Sequence, residues 1–81
     1  MPTVHREGPY RFYFTSHDAP EPPHVHIDRA GATAKFWLDP VALARSIGFG
    51  ARELNDLQEI VNTNADTFRF RWREFFGTWS R

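Results

Sequence analysis

The sequence predicts an α+β domain: a small antiparallel sheet of three to four strands, covered on one face by two C-terminal helices. Three observations predict it. His24–Asp28 (HVHID) and Ala34–Leu38 (AKFWL) alternate polar and apolar residues in opposite phase about a glycine, as the two arms of a hairpin do. Tyr10–Thr15 (YRFYFT) places Tyr10, Phe12 and Phe14 on one side and Arg11, Tyr13 and Thr15 on the other. Beyond residue 50 the apolar side chains recur at helical spacing.

The first strand is expected over 10–15. Ser16–Pro23 is a loop, because Pro20, Pro22 and Pro23 lack backbone donors and stiffen the chain. Strands at 24–29 and 33–38 flank Ala30-Gly31, where glycine accepts the positive φ of a tight turn. Residues 41–47 admit two readings. Asp39-Pro40 suits the N-cap and first position of a short helix, whereas Val41, Leu43 and Ile47 on one face suit a strand. The strand is preferred because it adds a neighbour to the sheet. Helices are expected at 51–63, with Gly50 as N-cap and Glu53 reaching back to it, and at 65–76, with Asn62–Asn64 breaking the chain between them. Phe68, Trp72, Phe75 and Phe76 form the inner stripe of the second helix, Trp79 continues it, and Gly77 ends the helix. Phe70 lies off the stripe.

The chain of 81 residues makes one domain with a limited core, which eight Phe, three Trp and two Tyr enlarge. The absence of cysteine excludes disulfides, a thiolate nucleophile and Cys-based zinc sites. No apolar run is long enough for a membrane span and no signal peptide is read, so a soluble, cytoplasmic protein is expected. The formal net charge of zero argues against a nucleic-acid magnet. Residues 67–81 nevertheless carry Arg69, Arg71, Arg73 and Arg81 against Glu74 alone. Lys35 is the only lysine among ten basic side chains, which favours a role for a compact ammonium there.

The hairpin sorts its chemistry. A two-residue turn at Ala30-Gly31 pairs His26 with Lys35 and His24 with Trp37 on one face, expected to be open to solvent. Val25, Ile27, Ala34, Phe36 and Leu38 then line the other. Two imidazoles can share acid and base work near neutral pH, and an ammonium can stabilise an anion. This set suits metal-independent cleavage of RNA, with Glu21 orienting a histidine or acting as base. Trp37 can stack a base, and Arg69 and Arg73 can hold the backbone. His-x-His with Glu21, Asp28 or His17 could instead hold a divalent ion. The nearby ammonium disfavours a cation, so no metal or other cofactor is expected. The same residues also fit an ordinary solvated face, and His5 and His17 read as plain surface residues.

The segments MPTV-x-REGPYRFYF, EPPHVHI, AKFWLDPV, GF-x-ARELN and W-x-EFFG, spread over nearly the whole chain, resemble the bacterial DUF 4160 domain family. By that resemblance Glu21, His24, His26, Lys35 and Trp37 match the family's motif positions, and Val41–Ile47 is a strand. SHDAPEPPHVH departs from the commoner loops with Asn and Gly, which leaves His17 without a family role. The family's genes commonly lie beside a DUF 2442 partner, an arrangement that resembles a toxin–antitoxin module with this protein on the toxin side. The resemblance thus implies an antitoxin-like partner and an action on RNA, and leaves an endoribonuclease activity and a homo-oligomer open. The alternative is a binding module without turnover, using a free sheet edge or Phe70.

Overall fold

A computed structural model describes residues 3–77. Five strands, β1 (Thr3–Glu7), β2 (Tyr10–Tyr13), β3 (His24–Arg29), β4 (Ala32–Leu38) and β5 (Val41–Ile47), form one open antiparallel sheet in sequence order. A single helix, α1 (Ala51–Phe76), packs on one face. The α+β class holds, with one strand more and one helix fewer than expected.

The extra strand is β1, joined to β2 through Gly8-Pro9. Of its residues only Val4 and His5 are half-buried. An edge strand with so little apolar surface leaves no alternation to read. Strand β2 stops at Tyr13 rather than Thr15 because Asp18 captures the backbone of Thr15. The Thr15 amide donates to Asp18 Oδ2 at 2.9 Å, and the Thr15 carbonyl accepts from the Asp18 amide at 3.2 Å. Groups engaged in that turn are not available to a ladder. Residues Val41–Ile47 form a strand, not a short helix.

The expected break at Asn62–Asn64 does not occur. Leu57, Val61, Ala65, Phe68 and Trp72 are buried in one unbroken helical stripe. Asn64 joins the helix by donating Nδ2–H to the Ile60 carbonyl at 2.8 Å. An asparagine costs a helix roughly 0.5–0.7 kcal/mol relative to alanine. Burying a side chain such as Phe68 returns about 1.5–3 kcal/mol, so packing overrides the local preference. Gly50 and Gly77 cap the helix as expected. Glu53, however, turns away from the N-cap to Arg29 and Tyr10.

The core joins Phe12, Phe14, Val25, Ile27, Phe36 and Leu38 of the sheet side to Leu57, Val61, Phe68 and Trp72 of α1. Phe75, expected in this stripe, is 41% exposed, and Phe70, which lies off it, is exposed too. Trp79 and Arg81 lie outside the described residues. No helix among the described residues is long and apolar enough to cross a membrane.

Candidate functional site

The β3–β4 register is the one the sequence implies: His26 faces Lys35, His24 faces Trp37 and Arg29 faces Ala32. The turn residues Ala30 and Gly31 have φ of 29° and 88°, the double positive φ that a two-residue hairpin needs. The pleat therefore carries His24, His26, Lys35 and Trp37 on the face away from the main core.

Exposure is a different matter. His24 has no accessible surface. Its ring lies 5.1 Å from that of Trp72 and 5.6 Å from that of Trp37, centroid to centroid, and it meets His26 edge-on at 5.0 Å. The last turns of α1 and the proline loop close around the first residue of β3. The expected solvent-facing trio is thus a buried His24 beside a partly open His26 and Lys35.

The loop also delivers a residue that the sequence reading passed over. Asp18 is buried, and its carboxylate accepts from the Thr15 amide at 2.9 Å and the Thr15 hydroxyl at 3.0 Å. His26 Nε2 lies 3.1 Å from both carboxylate oxygens. Burial alone would raise the Asp18 carboxyl, but the bonds from the Thr15 amide, His26 and the Thr15 hydroxyl outweigh it and hold it below its ordinary value. His24 approaches from the other side. Its Nδ1 is 2.9 Å from the Pro22 carbonyl, which can only accept, so Nδ1 carries a proton. Its Nε2 lies 3.1 Å from Asp18 Oδ1 but out of line for a hydrogen bond, and is a buried atom with no partner. Asp18, His24 and His26 form a metal-ligand-like cluster, their donor atoms all within 4.8 Å of one another. Of the third ligands expected for His-x-His, none takes that place. Glu21 bonds Lys35, Asp28 accepts from Tyr13, and His17 is exposed.

Lys35 Nζ donates to Glu21 Oε1 at 2.5 Å and sits 4.7 Å over the Trp37 ring. That bond holds the Glu21 carboxyl below its ordinary value. Across the next ladder Lys35 faces Arg45 of β5. A cleft of about 160 Å³ opens here, lined by His26, Thr33, Ala34, Lys35, Arg45, Ser46 and Ile47. It is smaller than the ~300–1,000 Å³ of a usual small-molecule pocket, and three of its side chains are cationic or can become so. Such a site suits one anionic group of a longer ligand.

The remaining candidates are not gathered at this cleft. Arg69 and Arg73 belong to α1, on the opposite side of the sheet. Arg69 is engaged by the Leu38 carbonyl and the Asp66 carboxylate, while Arg73 is exposed in the last turn. Trp37 is half-buried, edge-on to His24 and beneath the Lys35 ammonium. Asp18, which bonds His26 from the loop, and Arg45, which lines the cleft, are the two site residues that the sequence reading missed. Arg45 had one visible signal, as the charge that interrupts the apolar run of β5.

No curated protein and no solved structure shows a match to this chain. A family model described as "Domain of unknown function (DUF4160)" matches residues 10–73, a span that contains Asp18, Glu21, both site histidines, Lys35 and Arg45. The chain therefore belongs to the DUF4160 family.

Proposed function

We propose that this chain acts on RNA as the toxin-side member of a bacterial toxin–antitoxin pair, with a DUF 2442-type protein as its partner. In this reading the cleft between His26, Lys35 and Arg45 receives a backbone phosphate. The observation that carries it is the meeting of two cationic side chains and an Asp-bound imidazole at one opening of the sheet. Cleavage beside a 2′-hydroxyl needs a base for that hydroxyl and positive charge where the phosphoryl oxygens gain negative charge. In the ion-free chain His26 donates Nε2–H to Asp18, which leaves Nδ1 as the acceptor nitrogen of the ring. Lys35 and Arg45 supply the charge, and Glu21 holds Lys35 in place. His24, without exposed surface, is a positioning residue packed against the His26 ring.

Induced expression followed by growth and RNA integrity tests this reading. His26→Ala, Lys35→Ala and Arg45→Ala are expected to relieve growth arrest and RNA cleavage. Full toxicity in all three removes it. A second reading is a protein-binding module without turnover, favoured by the free edge of β5 and the exposed Leu43, Ile47 and Phe70. It is expected to lose partner binding with Ile47→Ser or Phe70→Ser and to show no cleavage at all.

A further inference from the structure

The buried half of the site is not explained by a phosphate cleft. His24 donates Nδ1–H to the Pro22 carbonyl, which leaves Nε2 as the nitrogen that can offer a lone pair to an ion. Nε2 lies 3.1 Å from a carboxylate oxygen of Asp18, out of line for a hydrogen bond, and is buried without a partner. A buried imidazole nitrogen without a hydrogen-bond partner, set beside a buried carboxylate oxygen, is satisfied when a positive charge is shared between them.

We propose that Asp18, His24 and His26 form a binding site for a first-row divalent transition metal of the Zn²⁺ class. Two imidazoles and one carboxylate are a donor set for such ions. Bonds of about 2.0–2.1 Å to a tetrahedral ion space neighbouring ligand atoms roughly 3.3 Å apart. The separations of 3.1 Å from Asp18 to His24 Nε2 and to His26 Nε2 are close to that spacing. Around a metal, the outer nitrogen of a ligating histidine ordinarily donates to a carbonyl or carboxylate, as His24 Nδ1 does to Pro22. Asp18 is braced in turn by Thr15. The objection from sequence, a nearby ammonium, loses weight because Lys35 is paired with Glu21. Three protein ligands leave a coordination position for water or substrate, the arrangement of catalytic rather than structural sites.

The inference deepens the RNA reading by naming a cofactor for the same site, and it rests on that reading only for any effect on cleavage. An ion at His26 Nε2 replaces the proton that this nitrogen donates to Asp18. The ring proton then resides on Nδ1, so His26 is a ligand and not the base.

The test is calorimetric titration of the full chain, stripped with EDTA, with ZnCl₂, and absorption spectroscopy with CoCl₂. One ion per chain is expected, with visible d–d bands of a low-coordinate Co²⁺ site and a rise in Tm on loading. Asp18→Asn and His26→Gln are each expected to weaken binding by at least tenfold, and His24→Ala to abolish it. His17→Ala, an exposed histidine of the same loop, leaves binding unchanged. Circular dichroism of Asp18→Asn and His26→Gln confirms that the loss is not unfolding. Absence of binding, or equal binding by Asp18→Asn and the unaltered chain, overturns the proposal. RNA cleavage that persists in EDTA without any ion binding removes the metal and leaves the RNA reading standing. Ion binding without cleavage of any RNA does the reverse.

Discussion

Arg45 stands opposite Lys35 because β5 gains one residue at a bulge. From Leu38↔Val41 through Phe36↔Leu43 the ladder runs in simple register, and an unbroken count would set Lys35 against Ala44. The shift between Lys35 and Phe36 moves Arg45 into that place. A bulge re-aims side chains in this manner, and here it brings a second cation to the cleft.

This pairing yields a prediction for RNA binding. Lys35→Ala and Arg45→Ala are each expected to lower the slope of log affinity against log salt by roughly 0.7, the share of one phosphate contact on a single strand. Arg69→Ala is expected to leave the slope unchanged, because that side chain is committed to Leu38 and Asp66. Binding titrations on a short single-stranded RNA at several salt concentrations check this. Equal slopes for all three variants would place the contact surface elsewhere.

Acid stability should depend on Glu53. Arg29 binds its carboxylate through two hydrogen bonds of 2.7 and 2.9 Å, and Tyr10 donates a third at 2.6 Å. The bond from Arg29 first, then that from Tyr10, holds its pKa below the ordinary value of 4.5. A lowered folded value means that the clamp stabilises fully above the unfolded pKa and fades as pH falls through the folded one. Glu53→Gln is therefore expected to unfold at lower urea than the unaltered chain at pH 7. That gap should narrow below pH 4.5. A gap that stays constant with pH would show that the ionised carboxylate is not what matters.

Trp72 spans two jobs, filling the core and walling in His24. It is 2% exposed and lies against Phe14, His24 and Phe76. Trp72→Ala is expected to cost about 3–5 kcal/mol of stability. It should also make the His24 ring accessible, measured by modification with diethyl pyrocarbonate. Trp72→Phe should keep the ring protected with a smaller loss.

Gly48 is the least replaceable glycine of the chain. Its φ is +90°, and a Cβ there would meet the Ala32 Cβ at 3.0 Å and Cα at 3.1 Å. Gly48→Ala is expected to destabilise by about 1–3 kcal/mol, from backbone strain plus the clash. Gly50→Ala, with open space and an extended backbone, should cost much less. Urea denaturation of the pair provides the comparison.

Several parts of the architecture were legible because local pattern and fold agree. The hairpin could be read since its alternation and its glycine turn specify one register, and any slip would bury Lys35 and expose Phe36. Helix α1 was read in part. Its stripe was visible, but Asn62–Asn64 suggested a break that packing along the sheet overrides. Strand β1 was illegible because an edge strand need not bury a side chain on every second position.

The sequence by itself determined which residues share a face: period-two alternation places His24, His26 and Lys35 together whatever lies above them. Only the tertiary structure decided which of them meets water. Burial depends on what arrives from distant segments, and here the loop bearing Asp18 and the helix bearing Trp72 close over His24. Asp18 next to two histidines, and Arg45 next to Lys35, arise from a loop path and a bulge, neither of which has a periodic signature along the chain.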